Sequence, residues 1–491
     1  MDPALEVETK ARELQNPMNA VIHLGDSPVQ KYYEDATIFV TGGSGFLGKQ
    51  LIEKLFRACK IKKIYMLIRE KKGKSGQERI NDVFDLVKEK QPKFGERIIP
   101  VSGDVSELRL GISDKDWNTI TKEVDIIFHM AATVRFDEPL KVAAKINVRG
   151  TMEAVKLARD CKKLKQLVHV STAYCQATDE RINEVVSEQF YPFYFIILYF
   201  GWPNTYTFTK AIAEDVIRLS ATDLPVCIVK PPIVTPCYYE PHPGWLDKSA
   251  LGGPSGIILG IGLGVIHVFF VDLECKLATV PLDYVNNAII AAGWDSTERR
   301  KEGDTEIPLY LVSNEDVLLA TPLCLWYCYL VETKNKFVYW LLNWFLHYIP
   351  AYILDGICAI IGKRPKNIPS FVKVFEKIHK KANVYSYFLT NSWKFRDANV
   401  KSMIARMTPN DRAIFNCDVN KIDSAEYAHV WCVGIRKFIL KDGLKDSLKS
   451  EAKQTWFRLA NLLFMAVYTY GLWLVVSTIF SLVFYLISFF V

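Results

Sequence analysis

A glycine-rich turn near the N-terminus constrains the fold of this chain more than any other feature. An apolar run from Ala36 to Val40 precedes the turn, and a stretch with helical period from Leu47 to Phe56 follows it. A strand, a glycine turn and a helix in this order are typical of a dinucleotide-binding unit, in which the pyrophosphate lies at the helix N-terminus. We therefore predict that a dinucleotide contacts the whole turn: Gly42, Gly43, Ser44, Gly45, Phe46, Leu47 and Gly48.

Four further apolar runs follow the turn, and stretches of helical character separate them: Ile64–Ile68, Ile98–Val101, Val124–Phe128 and Gln166–Val170. This alternation predicts an α/β fold with a Rossmann-type, doubly wound parallel sheet. Such sheets bind their ligands at the carboxyl ends of the strands. The residues that we predict to contact the cofactor there are Arg69, Lys72, Asp104, Val105, Ala131 and Ala132, with Asn147 on the helix that follows.

The residues after the second apolar run indicate which dinucleotide is bound. Folds that select NAD carry an acidic residue near this point, which binds the ribose 2′-hydroxyl. This chain has Arg69 instead, followed by Lys71 and Lys72. A cationic cluster suits a 2′-phosphate, so the sequence predicts NADPH as the cofactor. A solvated basic loop is the alternative interpretation.

A tyrosine and a lysine four residues apart are the candidate catalytic pair. They belong to the stretch Trp202–Lys210, in which Pro203 suits the first turn of a helix. Tyr206 and Lys210 then share one helix face, where the ammonium favours phenolate and lowers the pKa of the phenol. Both side chains are also expected to contact the cofactor, the lysine through the ribose.

Two adjacent hydroxyl side chains end the fifth apolar run and are candidates for polarising a substrate carbonyl. Side chains alternate along a strand, so only one of Ser171 and Thr172 faces the site. We favour Thr172 and keep Ser171 as the competing candidate. The glycine turn, Asp104, Asn147, these hydroxyls and the tyrosine–lysine pair follow one another in an order that argues against coincidence.

Together these stretches resemble the extended short-chain dehydrogenase/reductases and, more narrowly, the eukaryotic fatty acyl-CoA reductases. The likeness runs from about Tyr33 to about Tyr427, and the block from Trp202 to Lys210 is its most specific part. The stretches that carry it are Thr41–Gly48, Leu67–Gly73, His129–Phe136, Val170–Tyr174, Trp202–Lys210, Pro243–Trp245 and Val280–Asp283.

The resemblance implies a reduction in two steps. A long-chain fatty acyl-CoA takes a hydride from NADPH at its thioester carbonyl and releases CoA and an aldehyde, and a second NADPH reduces the aldehyde to a fatty alcohol. By the same likeness Tyr206 is the proton donor, Lys210 tunes it and anchors the ribose, and Thr172 or Ser171 hydrogen-bonds the carbonyl. The alternatives are a sterol or sugar dehydrogenase of the same superfamily, or an NADPH-binding membrane scaffold without turnover.

Two segments depart from the family pattern, and a third is unusual in composition. The segment between Cys175 and Trp202 is short and ends in the aromatic run Phe190–Phe200, expected to line an acyl path, dip into a membrane or form a buried loop. Lys230 and two prolines replace the usual Arg-Pro-Ser near the nicotinamide. The glycine-rich stretch Gly252–Gly264 is expected to be a flexible loop and strand.

The C-terminal part is expected to be helical and to end in a membrane anchor. Phe337–Ile361 is apolar but contains His347, Pro350 and Asp355, so we expect helices around an acyl cavity or on the membrane surface rather than a span. From Leu459 to Val491 there is no charged residue, which is enough for one tilted span. A hairpin of two short spans is the alternative.

Basic residues before the tail predict that its N-terminal side, with the catalytic domain, is cytosolic: Lys441, Lys445, Lys449, Lys453 and Arg458. The membrane is expected to be that of the endoplasmic reticulum or the peroxisome. The predicted division is a polar N-terminal segment (1–32), a reductase domain (33–317), a helical domain (318–455) and the anchor (456–491).

Composition and charge exclude other classes of protein. The net charge of +7 comes from 61 basic and 54 acidic residues that are dispersed along the chain, so no nucleic-acid partner is expected. No zinc-type spacing of histidine and cysteine occurs, so no metal is expected. The N-terminus lacks the apolar core of a signal peptide, and eleven cysteines without a pairing pattern fit a reducing compartment.

Overall fold

Seven parallel strands form the central sheet in the computed structural model, which describes residues 1–69, 76–83, 94–190, 201–313, 327–364 and 370–488. The described strands are β1 (Thr37–Thr41), β2 (Lys63–Ile68), β3 (Ile98–Ser102), β4 (Ile126–His129), β5 (Gln166–Val170), β6 (Val185–Val186), β7 (Val226–Lys230), β8 (Ile233–Thr235), β9 (Val268–Phe270), β10 (Thr279–Pro281), β11 (Leu309–Leu311), β12 (Val331–Thr333) and β13 (Lys394–Phe395). The sheet order is β3-β2-β1-β4-β5-β7-β11, which confirms the predicted doubly wound, Rossmann-type sheet.

The chain order of the strands reverses at β1, which lies between β2 and β4. Ligands of doubly wound sheets bind at such a reversal, beyond the carboxyl ends of the strands. Thr41 of β1 pairs with His129 of β4. This register brings the glycine turn after β1 and the residues after β4 to the same edge of the sheet.

The inner strands are buried along their whole length because elements pack against both faces of the sheet. Every residue of β1, β5 and β7 is buried. Ile38 and Val40 belong to one apolar layer and Phe39 belongs to the other, as alternation along a strand requires. The five predicted apolar runs therefore correspond to β1–β5 of the parallel sheet, in which β3 is an edge strand.

Helices cover the sheet and form most of the C-terminal part. In chain order they are α1 (Pro3–Glu13), α2 (Asn16–Val21), α3 (Pro28–Tyr33), α4 (Phe46–Ala58), α5 (Gly76–Val83), α6 (Asp114–Glu123), α7 (Leu140–Ala143), α8 (Gly150–Asp160), α9 (Thr205–Ser220), α10 (Pro254–Gly262), α11 (Leu282–Lys301), α12 (Lys336–Asn343), α13 (Ile349–Ile361), α14 (Phe371–Leu389), α15 (Ala398–Arg406), α16 (Pro409–Ile414), α17 (Ser424–Gly434) and α18 (Ser447–Ile487). Turns of π-helix occupy Ala144–Arg149, Trp344–Tyr348 and Ile435–Leu440.

One expectation about the second half of the chain is wrong. Residues 252–264 are mainly helical, because Pro254 starts α10 and Gly260 allows a close contact: a Cβ there would lie 2.5 Å from Cδ1 of Ile266. Few side chains of the segment Lys336–Ile361 are buried, and its expected place around a cavity or on a membrane stays a prediction. The tail is one continuous helix as far as Ile487, which excludes a hairpin within the described residues.

The N-terminal helices pack against the C-terminal helices, α1 on α17 and α2 on α16. A buried ion pair links α4 to α16: the Lys54 ammonium lies 2.6 Å from the Glu240 carboxylate and donates to the Ile414 carbonyl at 2.6 Å. Neither side chain is exposed to solvent. The N-terminal helices therefore belong to the packed body. The predicted boundary between 317 and 318 lies outside the described residues.

Candidate active site

The glycine turn joins β1 to α4 and leaves room for a dinucleotide. Gly42 has φ +78°, and a Cβ on it would lie 2.8 Å from the backbone nitrogen of Ala131. A Cβ on Gly48 would lie 2.4 Å from the carbonyl oxygen of Gly42. No described side chain caps α4 at Gly45, so the first N–H groups of the helix remain available to a pyrophosphate.

Some of the remaining residues of the turn pack against the protein interior, and others are exposed to solvent. Gly43 is buried, and a Cβ on it would lie 2.7 Å from the sulfur of Met66. Ser44 is half-buried, whereas Gly45 is exposed. Phe46 stacks on Trp245 with ring centroids 5.7 Å apart, and the Leu47 carbonyl accepts a hydrogen bond from Asn286 at 3.0 Å. The exposed backbone of the turn is therefore at Ser44 and Gly45.

A cavity of about 550 Å³ lies at the carboxyl ends of β2 and β3, and two arginines line it. Arg69 follows β2, and its guanidinium lies 3.5 Å from the Asp104 carboxylate. Arg79, on α5, donates a hydrogen bond to the Arg69 carbonyl. The sequence prediction missed Arg79, although a basic residue on the helix that follows β2 was a usable signal. Lys71 and Lys72 lie outside the described residues.

The loop after β3 holds Asp104 and Val105 at the rim of this cavity. The Asp104 carboxylate accepts hydrogen bonds from the Ser106 backbone N–H and hydroxyl, both at 2.9 Å. The Val105 carbonyl lies close to Gly150, where a Cβ would be 3.0 Å away. The loop is thus fixed by its own hydrogen bonds and by α8.

The residues after β4 form the other side of the crevice. The Thr41 hydroxyl lies 2.9 Å from Nδ1 of His129 and accepts from the Ala131 N–H at 3.2 Å. Burial, and then the Lys210 charge, lower the pKa of His129 to about 3, so this imidazole is neutral at physiological pH. Ala131 and Ala132 are half-buried and have no side chain that would fill the crevice.

Asn147 lies on the π-helical turn after α7 and links this loop to the catalytic helix. Its amide nitrogen donates to the Thr209 hydroxyl at 2.9 Å, and its amide oxygen accepts from the Thr133 N–H at 2.9 Å. The side chain is buried. In this arrangement Asn147 positions α9, and the predicted contact with a cofactor stays a prediction.

Helix α9 begins at Thr205, two residues after Pro203, which was predicted to lie in its first turn. Asn204 is its N-cap, and the amide oxygen accepts from the Thr207 N–H at 2.9 Å. Pro203 therefore precedes the cap rather than lying in the first turn, because a capping side chain was available one residue later. Tyr206 is in the first turn and Lys210 in the second, as their spacing predicted.

The two candidate hydroxyl groups at the end of β5 have different surroundings. The Thr172 side chain lies close enough to the Tyr206 phenol to oppose part of the rise in its pKa that burial causes. Ser171 points the other way, and its hydroxyl donates to the Glu214 carboxylate. Alternation along the strand thus places Thr172, the favoured candidate, beside the tyrosine.

The ionisation of the tyrosine differs from the sequence expectation. Burial raises the pKa of Tyr206, and the nearby Thr172 side chain only partly opposes this. The Lys210 ammonium donates to the Val170 carbonyl at 2.6 Å instead of acting on the phenol, and burial lowers the pKa of Lys210 to about 8. The expectation that Lys210 lowers the pKa of Tyr206 is wrong for this arrangement. The phenol stays protonated, which is the form that a proton donor needs.

A buried carboxylate connects four elements directly behind these groups. Glu214, one helical turn after Lys210, accepts from Ser171, from the Cys175 thiol at 2.9 Å and from the Lys230 ammonium at 2.9 Å. Lys230 is completely buried. The lysine that replaces the family's usual arginine therefore lies behind the site as the counter-charge of Glu214.

Aromatic rings cover the tyrosine on its outer side. Phe136, from the loop after β4, stacks on Tyr206 with ring centroids 5.8 Å apart. Tyr385 and Phe388 of α14 each lie 5.6 Å from the Phe136 ring. The sequence did not assign these three residues, since a separation of about 250 positions gives no sign that they meet. Most of the aromatic run Phe190–Phe200 lies outside the described residues.

Two family models match the chain, both described as "Male sterility protein": a nucleotide-binding model over residues 40–289 and a model named "Sterile" over residues 346–442. The terminal reductase domain of a myxalamid biosynthetic pathway superposes with a TM-score of 0.57, covering 84% of this chain and 92% of that one. At 20% identity this likeness shows the fold alone.

Curated relatives extend over most of the chain. "Fatty acyl-CoA reductase wat" of Drosophila melanogaster is 37% identical over 464 residues, covering 86% of this chain and 88% of that protein. Human "Fatty acyl-CoA reductase 1" is 32% identical over 84% of this chain and 86% of its own length. Mouse "Fatty acyl-CoA reductase 2" is 32% identical over 89% and 90%. The chain therefore belongs to the fatty acyl-CoA reductase family and carries its nicotinamide-dinucleotide-binding reductase domain.

Proposed function

We propose that this protein reduces a long-chain fatty acyl-CoA to the fatty alcohol through an aldehyde, with NADPH as the reductant. The observation that carries the proposal is the meeting of Thr172, Tyr206 and Lys210 at the sheet edge that also holds the glycine turn. The aromatic cover on Tyr206 suits an apolar acyl chain better than a hydrophilic sugar.

The groups at this edge supply what carbonyl reduction requires. NADPH, when bound, provides one hydride to the carbonyl carbon in each step. In the first step Thr172 and Tyr206 hydrogen-bond the oxyanion that forms on the thioester, and its collapse breaks the C–S bond and releases CoA. In the second step Tyr206 gives its proton to the aldehyde oxygen as the alcohol forms. Lys210, held at the end of β5, is placed to bind the ribose.

Two features support NADPH rather than NADH. Arg69 and Arg79 line one cavity at the end of β2, where the adenosine ribose lies in folds of this type. Guanidinium groups bind phosphate with two hydrogen bonds, and a 2′-phosphate would lie between them. The Asp104 carboxylate is already occupied by Ser106 and Arg69, which leaves it poorly placed to bind a free 2′-hydroxyl.

A membrane anchor completes the proposal. Two described helical segments are long and apolar enough to cross a bilayer, Lys336–Ile361 and Ser447–Ile487. The second carries basic residues only before its apolar part, so we place the catalytic domain on the cytosolic side and α18 across the membrane. The membrane is that of the endoplasmic reticulum or the peroxisome, and its lipid also holds the product.

Replacing Tyr206 by phenylalanine should lower kcat for acyl-CoA reduction by at least about 100-fold, because it removes only the proton donor. The ring that stacks on Phe136 is kept, so the dissociation constant for NADPH should stay close to that of the wild type. Stopped-flow NADPH oxidation and a fluorescence titration of NADPH measure the two quantities. Unchanged turnover would remove Tyr206 from the mechanism.

The two neighbouring hydroxyl groups can be tested against each other. Thr172→Val keeps the shape of the side chain but removes the donor beside Tyr206, and kcat should fall by about 100-fold. Ser171→Ala removes a hydrogen bond to Glu214 behind the site, and kcat should fall by less than about tenfold. A larger loss in Ser171→Ala would assign the carbonyl contact to Ser171 instead.

The arginine cavity can be tested by cofactor preference. Arg69→Ala and Arg79→Ala should each raise the KM for NADPH by about tenfold or more, because each removes hydrogen bonds to a charged phosphate. The KM for NADH should change little. Arg159→Ala, at an exposed arginine of α8 that pairs with Asp223 and does not line the cavity, is the matched control. Equal effects on both cofactors would refute the 2′-phosphate assignment.

A further inference from the structure

The helical segment α12–α13 presents a large apolar surface to the outside of the molecule. It runs from Lys336 to Ile361 through a π-helical turn, and only 11% of its most apolar stretch is buried. Its exposed large side chains include Phe337, Trp340, Trp344, Tyr352, Ile357 and Ile360. A soluble surface rarely exposes so many large apolar groups side by side.

The polar groups of this segment are satisfied on its inner side. Nδ1 of His347 lies 2.9 Å from the Asn343 amide oxygen, and its Nε2 accepts from the His267 backbone N–H at 2.9 Å. Asp355 accepts from the Phe371 N–H at 3.0 Å and lies 3.3 Å from the Arg364 guanidinium. The Asp355 charge that argued against a span is therefore paired and caps α14, and the outer face of the segment carries apolar groups.

The segment also contacts α18, the helix that we propose crosses the membrane. The Tyr468 hydroxyl donates to the Phe345 carbonyl at 2.7 Å, and the two rings lie 4.9 Å apart. In the π-helical turn Ile349 donates to the Trp344 carbonyl, so the next N–H in the series would reach Phe345. That residue is Pro350, which has no N–H, and Tyr468 supplies the missing donor. Bilayer helices satisfy carbonyls freed by proline in this way.

The depth of the contact follows from helix geometry. Tyr468 lies nine residues after Leu459, where the uncharged part of α18 begins. Nine residues correspond to about 14 Å of helix, close to half of a hydrocarbon core of about 30 Å. If α18 crosses the bilayer, the residue that it contacts lies within the hydrocarbon as well.

Helix α14 connects this segment to the catalytic tyrosine. Phe375 stacks on His347 with ring centroids 4.9 Å apart, and His379 stacks on Tyr348 at 5.2 Å. Ten residues after Phe375, about 15 Å along the helix, Tyr385 contacts the Phe136 ring that covers Tyr206. One helix therefore spans the distance between the apolar segment and the active site.

We propose that α12–α13 is a second membrane-embedded segment, immersed in the hydrocarbon of the bilayer that α18 crosses, and that α14 holds the active site at a fixed distance from it. The partner of the exposed face is lipid acyl chain. The inference rests on the anchoring role proposed for α18 and adds a contact that fixes the orientation of the catalytic body.

Photolabelling of the full chain in phosphatidylcholine vesicles tests this directly. A phospholipid with a diazirine in its acyl chain is photoactivated, and labelled peptides are mapped by mass spectrometry. We expect roughly equal labelling of α12–α13 and α18, and about tenfold less at Leu219 and Leu273, because the probe is confined to hydrocarbon. Those two leucines are 63% and 69% exposed on the catalytic body and serve as internal controls.

The outcomes separate the inference from the proposed anchor. Label in α18 alone would overturn the inference and leave the anchor standing, and label in neither segment would overturn both. In the variant Trp340→Asp/Trp344→Asp, labelling of α12–α13 should fall at least about tenfold while α18 stays labelled, because charge is expelled from hydrocarbon.

Discussion

The hydrogen bond from the Lys210 ammonium to the Val170 carbonyl fixes the rest of the catalytic arrangement. It ties α9 to the end of β5 at 2.6 Å, inside a region that water does not reach. One turn further along α9, Glu214 pairs with the buried Lys230, so the same helix is held a second time. A buried charge without a partner is costly, so α9 has one favourable position on the strand. In that position Tyr206 lies beside Thr172, and Ser171 is directed into the protein.

The sequence predicted the parts of the site that are formed by residues close together in the chain. The strand–turn–helix at Gly42–Gly48 and the i, i+4 spacing of Tyr206 and Lys210 are local, and the structure has both elements where they were predicted. Long-range contacts were not predictable: Tyr385 reaches the Phe136 ring only because α14 folds back over the sheet edge. Lys210 is an intermediate case. The helix face that it shares with Tyr206 was predicted, but its partner, the Val170 carbonyl at the end of β5, was not.

In the C-terminal part, polar groups have partners that composition alone does not reveal. Asp355 argued against a span, yet the carboxylate caps α14 and pairs with Arg364. Pro350 has no N–H to donate within the helix, yet the helix continues, because the Tyr468 hydroxyl donates to the Phe345 carbonyl. In both cases a polar group that looked costly in sequence is satisfied by a partner elsewhere in the chain. In the proposed arrangement the same helices connect the membrane with α14 and with the aromatic cover of the active site.

The most direct test of the central claim is to identify the products formed by membranes that contain this protein, supplied with NADPH and long-chain acyl-CoA. The account predicts fatty alcohol, with two NADPH oxidised for each CoA released, because the same tyrosine serves both reductions. Aldehyde as the only product would contradict the second reduction. A folded protein that neither oxidises NADPH nor releases CoA would contradict the whole assignment of Thr172, Tyr206 and Lys210 to carbonyl reduction.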